Sequence, residues 1–117
     1  MKVLVTGSRV YGNYEKVKEA IIQAKATIVI HGHAKGADAL ASRACRELGL
    51  EEHRYPANWE KFGRGAGPKR NQQMLDEEHK SDDPIEMVLA FPIEGSIGTV
   101  DMMMRAGMVN IPIVVCS

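Results

Sequence analysis

Residues 27–48 read Thr27-Ile28-Val29-Ile30-His31-Gly32-His33-Ala34-Lys35-Gly36-Ala37-Asp38-Ala39-Leu40-Ala41-Ser42-Arg43-Ala44-Cys45-Arg46-Glu47-Leu48. A short, branched apolar run stops at a glycine-rich turn, and the period of the chain then changes. Ala37, Leu40, Ala41, Ala44 and Leu48 recur at the spacing of one helix face. Gly49 follows where a helix C-cap is expected. The stretch is a strand, a tight turn and a surface helix. The same grammar recurs in both directions. Residues 3–6 are strand-like and end at Gly7, Met87–Phe91 ends at Pro92, and residues 111–115 form another branched run. Such runs suit central parallel strands buried on both faces. Residues 51–55 are more polar, stop at Pro56 and read as an edge strand. Helical spacing returns over residues 14–25, 68–78 and 98–108. Alternating strands and helices with right-handed crossovers predict an α/β, Rossmann-like three-layer sandwich on a mainly parallel five-stranded sheet, with four helices.

The chain has 117 residues, which is one domain, residues 1–117, with no room for a second core. So short a chain buries only about two-thirds of its unfolded surface. A deep cavity is therefore expected to be completed by another copy, in a homodimer or larger homo-oligomer. Fifteen basic and fifteen acidic residues give zero formal net charge, which argues against nucleic acid as a partner unless the cations gather locally. No apolar run approaches the roughly 20 residues of a membrane span, and Met1-Lys2 leads straight into a strand without a signal-like segment. Cys45 and Cys116 lack metal-like or disulfide-framework spacing. The expectation is a cytoplasmic protein with free thiols.

Ligands of open α/β sheets bind beyond the carboxyl ends of the strands. The turns there hold Gly7-Ser8-Arg9, then His31 to Asp38, then Pro92-Ile93-Glu94-Gly95-Ser96-Ile97-Gly98-Thr99. Glycines let the backbone approach a ligand, and each following helix aims unpaired N–H groups at it, so phosphate is the natural guest. Strand-to-helix turns use glycine for purely steric reasons too, yet three such turns on one rim favour a ligand. Neither a Walker A loop nor Gly-x-Gly-x-x-Gly is present, which weakens the ordinary NTPase and dehydrogenase readings. No cofactor is expected. Arg9, Lys35, Lys69 and Arg70 are candidate countercharges. Asp38 either accepts hydrogen bonds from ribose hydroxyls or stabilises the first turn of its helix. Asp101 carries the same ambiguity one helix later, facing a sugar or capping backbone N–H groups.

Residues 59–71 combine the only Trp with glycines and cations and read as a ligand-covering loop. Trp59 stacks on a base or packs on the sheet edge. His31-Gly32-His33 has no clear third ligand, so no metal site is expected. Cys45 reads as a small core residue. Met102, Met103, Met104 and Met108 cover more than one helix face, and part of that surface is free for a second subunit.

Four ordered motifs carry a resemblance: Val5-Thr6-Gly7-Ser8-Arg9; Ile30 through Ala41; Ala66-Gly67-Pro68-Lys69-Arg70-Asn71-Gln72-Gln73-Met74; and Ala90-Phe91-Pro92 through Thr99. Together they resemble the YspA-like branch of the SLOG superfamily, which also holds the Lonely Guy phosphoribohydrolases and Smf/DprA. The resemblance implies a Rossmann-like sheet binding a nucleotide or nucleotide-derived ligand. By motif, Gly95, Ser96, Gly98 and Thr99 would bind phosphate, and Arg70 would take the place of the helix Arg that assists N-glycosidic cleavage. In the Lonely Guy pattern a Glu follows the Pro-Gly-Gly-x-Gly-Thr loop as catalytic acid; here Asp101 stands nearest. The interval from Pro92 to Thr99 is two residues longer than in that pattern, and His33 replaces a usual Gly.

The expected site is therefore Gly7, Ser8, Arg9, Gly32, His33, Lys35, Asp38, Trp59, Asn71, Gly95, Ser96, Gly98 and Thr99 for binding, with Arg70 and Asp101 for catalysis. The expected reaction, if there is one, is nucleotide N-glycosidic hydrolysis. Its alternatives are a non-catalytic nucleotide sensor or sequestering protein and, less favoured, a DNA-processing partner.

Overall fold

The branched runs become strands that send alternate side chains into two separate cores, as a sheet covered on both faces requires. The computed structural model describes residues 1–117. Its elements run β1 (Lys2–Gly7), α1 (Tyr14–Gln23), β2 (Ile28–His31), α2 (Ala37–Leu48), β3 (Glu51–Arg54), α3 (Trp59–Phe62), a 3₁₀ turn (Gly63–Gly65), α4 (Ala66–Glu78), β4 (Met87–Phe91), α5 (Ile97–Met108) and β5 (Ile113–Val115). Val3 and Val5 of β1 face Val17, Ile21, Ala41 and Ala44 of α1 and α2. Leu4, between them, faces Met74, Met102 and Ala106 of α4 and α5. Burying a side chain such as Leu4, Ile30 or Met102 stabilises by about 1.5–3 kcal/mol each.

Every pairing is parallel, in the order β3-β2-β1-β4-β5. The fold is an α/β, Rossmann-like sandwich, with the sheet parallel throughout. From β1 the chain steps outward to β2 and β3, then returns to β4 on the other side of β1. The connections leaving β1 and β4 therefore diverge, and a crevice opens above the carboxyl ends of these two strands.

Two local readings change. Residues 59–65 form the short helix α3 and a 3₁₀ turn, not an open loop. Asn58 caps α3 by accepting from Lys61 N–H at 3.0 Å, and the neighbouring glycines obscured that signal. β5 is an edge strand with exposed Val114 and Val115, not a doubly buried one. No helix is long and apolar enough to cross a membrane.

Candidate functional site

A cavity of about 530 Å³ fills the crevice between the ends of β1 and β4. Gly7, Ser8 and Arg9 form its floor after β1, Gly32 and Asp38 one wall, and Gly95, Ser96, Gly98, Thr99 and Asp101 the facing wall; Arg70 and Asn71 of α4 close the side, and Trp59 flanks the mouth. His33 and Lys35 are exposed and do not line it. Lys69 also stays outside, with its ammonium 4.9 Å from the Phe62 ring. Arg64, from the 3₁₀ turn, takes the place these cations were expected to fill. The lining carries three arginines, Arg9, Arg64 and Arg70, against three carboxylates, Asp38, Glu94 and Asp101, so it is balanced rather than basic.

Close packing accounts for Gly7 and Gly32, as it does for Gly36 against the Ser8 and Arg9 backbone. A Cβ on Gly7 would strike Ala37 and the Phe91 carbonyl, because β1 there passes between α2 and β4. A Cβ on Gly32 would occupy the space of the Arg70 guanidinium. Arg70 lies against that bare backbone, donating from Nη1 to the Gly32 carbonyl at 2.5 Å and to Tyr55 O at 3.4 Å, and from Nε to Asn71 Oδ1 at 3.0 Å. Burial lowers its pKa, with Asp38 opposing and Arg9 reinforcing; an arginine stays charged nonetheless.

The α5 wall has the features of an anion cradle. Ser96 is the N-cap of α5, yet its side chain makes no capping bond to the helix. Its Oγ accepts from Ile93 N–H at 3.1 Å instead. The Gly98 and Thr99 N–H groups, in the first turn, are left without a protein acceptor. Gly95 has a φ of +87°, a conformation that favours glycine. Ser8 is less available than its sequence position suggested: its N–H donates to Phe91 O at 3.0 Å, and its Oγ accepts from Val10 N–H.

Asp101 and Asn71 are tied together across α4 and α5. Asn71 is 3% exposed. Its Nδ2 donates to Asp101 Oδ2 at 2.9 Å and to Gly98 O at 3.2 Å, so its amide positions other groups instead of facing the cavity unpaired. Arg105, which sequence reading did not single out, donates to the same Asp101 oxygen at 2.9 Å and to Gln72. An i, i+4 spacing from Asp101 was its only signal. Burial acts to raise the Asp101 carboxyl, but the bonds from Arg105 and Asn71 and the Arg105 charge outweigh it and hold the pKa below the ordinary value. Asp101 is thus an ionised carboxylate, suited to stabilising positive charge or accepting a proton, not to donating one.

Asp38 is the opposite case. Burial pushes its carboxyl up, against lowering contributions from His31, the Ala34 N–H, Arg70 and the Gly32 N–H. Trp59 is 46% exposed, with Arg9 stacked 5.0 Å from its ring and Gly67 beneath it. That arrangement holds the ring at the cavity lining. His31 is fully buried; its Nδ1 accepts from His33 N–H and its Nε2 engages Glu52, so it has no free nitrogen. No group of three or more His, Cys, Asp or Glu is arranged to hold a metal ion.

Residues 1–62 match the YspA, cpYpsA-related SLOG family (YAcAr). The Gene 61 protein of Mycobacterium phage D29 is 34% identical over 125 aligned positions, covering 97% of this chain and 94% of that protein. The X-ray structure of DNA processing protein A (DprA) from Streptococcus pneumoniae is similar with a TM-score of 0.57 at 17% identity, over 97% of this chain and 58% of that one. At that identity the likeness concerns the fold alone, and this chain spans little more than half of the DprA chain.

Proposed function

Since the chain belongs to the YspA, cpYpsA-related SLOG family, we propose that it binds a nucleotide or nucleotide-derived ligand in the crevice between β1 and β4. The observation that carries this reading is the first turn of α5: two unacceptored N–H groups, Gly98 and Thr99, beside Gly95 and across a cavity that also holds Arg9 and Arg70. Oriented N–H donors and a helix N-terminus favour a phosphate, and the arginines add charge-assisted bonds. The cavity volume is within the usual range for a small-molecule site.

A second reading, hydrolysis of the ligand's N-glycosidic bond, is favoured by Asp101. A carboxylate held ionised by Arg105 and Asn71 on the cavity wall is the group that an oxocarbenium-like sugar requires. Arg70, anchored on Gly32, would orient the ribose phosphate. Incubation of the protein with AMP and other nucleoside monophosphates, followed by mass spectrometry, tests both readings. Retained intact ligand supports binding alone and excludes hydrolysis. Free base that disappears in Asp101→Asn supports hydrolysis, and base release that survives this substitution removes Asp101 from the role. Absence of both retention and release refutes the pocket.

Self-association belongs to the same proposal. Ile97, Val100, Met104 and Met108 form an exposed apolar stripe along α5, and Ile97 also lines the cavity. A second copy on that stripe would bury it and narrow the open mouth.

A further inference from the structure

Asp38 is the side chain of the crevice that the protein leaves half unanswered. It is 6% exposed. Its Oδ2 accepts from Gly32 N–H and Ala34 N–H, both at 3.2 Å, while Oδ1 is buried and has no partner. The nearby cationic and titratable groups are engaged elsewhere: the bonds of Arg70 go to Gly32 O, Tyr55 O and Asn71, and both nitrogens of His31 are occupied. An unpaired buried acceptor is costly, more so when charged. An occupant of the cavity that supplies a donor to Oδ1 recovers that cost.

The topology says which part of a nucleotide reaches it. Asp38 stands after β2, and the Gly98 and Thr99 N–H groups stand after β4, with β1 between them. Two strand spacings, about 10 Å, lie between the ends of β2 and β4 from which these turns leave. That distance suits a 5′-phosphoribosyl group hydrogen-bonded at both ends, whereas a base reaching to Asp38 would need a longer span from the phosphate. We infer that Asp38 Oδ1 accepts a hydrogen bond from a ribose hydroxyl of the ligand, so that the crevice selects 5′-phosphorylated ribosides with an intact 2′,3′-diol over their deoxy counterparts. This rests on the nucleotide reading above.

The test titrates the full chain calorimetrically with ribose 5-phosphate and AMP, and with 2-deoxyribose 5-phosphate, 2′-deoxy-AMP and 3′-deoxy-AMP. A site built to bond a hydroxyl rejects the analogue lacking it strongly, so 2′-deoxy-AMP or 3′-deoxy-AMP loses about 100-fold or more in affinity against AMP, and 2-deoxyribose 5-phosphate follows if the bonded hydroxyl is the 2′ one. Asp38→Asn retains an oxygen for the Gly32 and Ala34 N–H groups and turns an amide NH₂ toward the ligand. Its ribo-to-deoxy ratio is expected to fall below about tenfold, without loss of the fold. Equal binding of diol and both deoxy probes overturns the inference and leaves the nucleotide reading standing, as does full discrimination in a folded Asp38→Asn. Failure of AMP, GMP, CMP, UMP and ribose 5-phosphate all to bind overturns the nucleotide reading itself. Should the variant not fold, the comparison on the unmodified chain decides alone.

Discussion

Replacing Asn71 by Ala should disconnect the two helices that frame the crevice, and the cost follows from its contacts. The substitution removes the hydrogen bonds from the amide NH₂ to the Asp101 carboxylate at 2.9 Å and to Gly98 O at 3.2 Å, and the oxygen that receives Arg70 Nε at 3.0 Å. Hydrogen bonds to charged groups contribute about 1.5–3 kcal/mol each and a neutral one about 0.5–1.5 kcal/mol, which sets an upper limit of about 7.5 kcal/mol. Neither charge is left bare, since Arg105 still holds Asp101 and the Gly32 and Tyr55 carbonyls still hold Arg70. Asp101 is also a quarter exposed, so water replaces part of what is lost. A net loss of about 2–4 kcal/mol is expected, equivalent to a fall in Tm of about 10 °C for a domain of this size. Urea unfolding followed by far-UV circular dichroism measures it. A double-mutant cycle with Asp101→Ala should give a coupling of about 1–2 kcal/mol. A loss below about 0.5 kcal/mol, or single effects that simply add, would refute the view that Asn71 holds Asp101 in place.

The two carboxylates should also respond oppositely to pH. Asp38 has a folded-state pKa above its unfolded value, so the folded state binds the extra proton and this contribution declines as pH rises from about 4 through the raised pKa. Relative to Asp38→Asn, the unmodified chain should lose stability over that interval; a difference that stays flat or grows in its favour contradicts the burial argument. Asp101, with a lowered pKa, contributes stability that is present above its unfolded value and lost as pH falls through the folded one. Met104, 64% exposed on α5, tests assembly: Met104→Glu should shift the mass measured by light scattering toward the monomer. A monomeric unmodified chain at high concentration would end the self-association reading.

The strand-to-helix turns were legible because period and punctuation are local properties. The apolar run before Gly7, the change of period at Gly36 and the C-cap at Gly49, which has a φ of +67°, are each read from a few adjacent residues, although the space that excludes a side chain at Gly7 and Gly36 is filled by residues far away in the chain. Side-chain direction was not legible in the same way. Arg70 and Lys69 are adjacent in sequence, yet one lies on the bare backbone of Gly32 and the other beside Phe62. His33 and Asp38 share one turn, yet one faces solvent and the other the cavity. Residues 59–65 read as a loop because their glycines outweighed the Asn58 cap.

By itself, the sequence determined alternating strands and helices, a sheet covered on both faces, and a rim where glycine-rich turns meet helix N-termini. Those follow from hydrophobic period and turn chemistry, which act over a few residues. Only the tertiary structure decided the order β3-β2-β1-β4-β5, and with it the crevice between β1 and β4. It also decided that Asn71 is spent on Asp101, that Arg64 joins the wall while Lys35 does not, and that one oxygen of Asp38 is buried without a partner. Burial and pairing are set by contacts between residues far apart in the chain, and a local pattern carries no record of them.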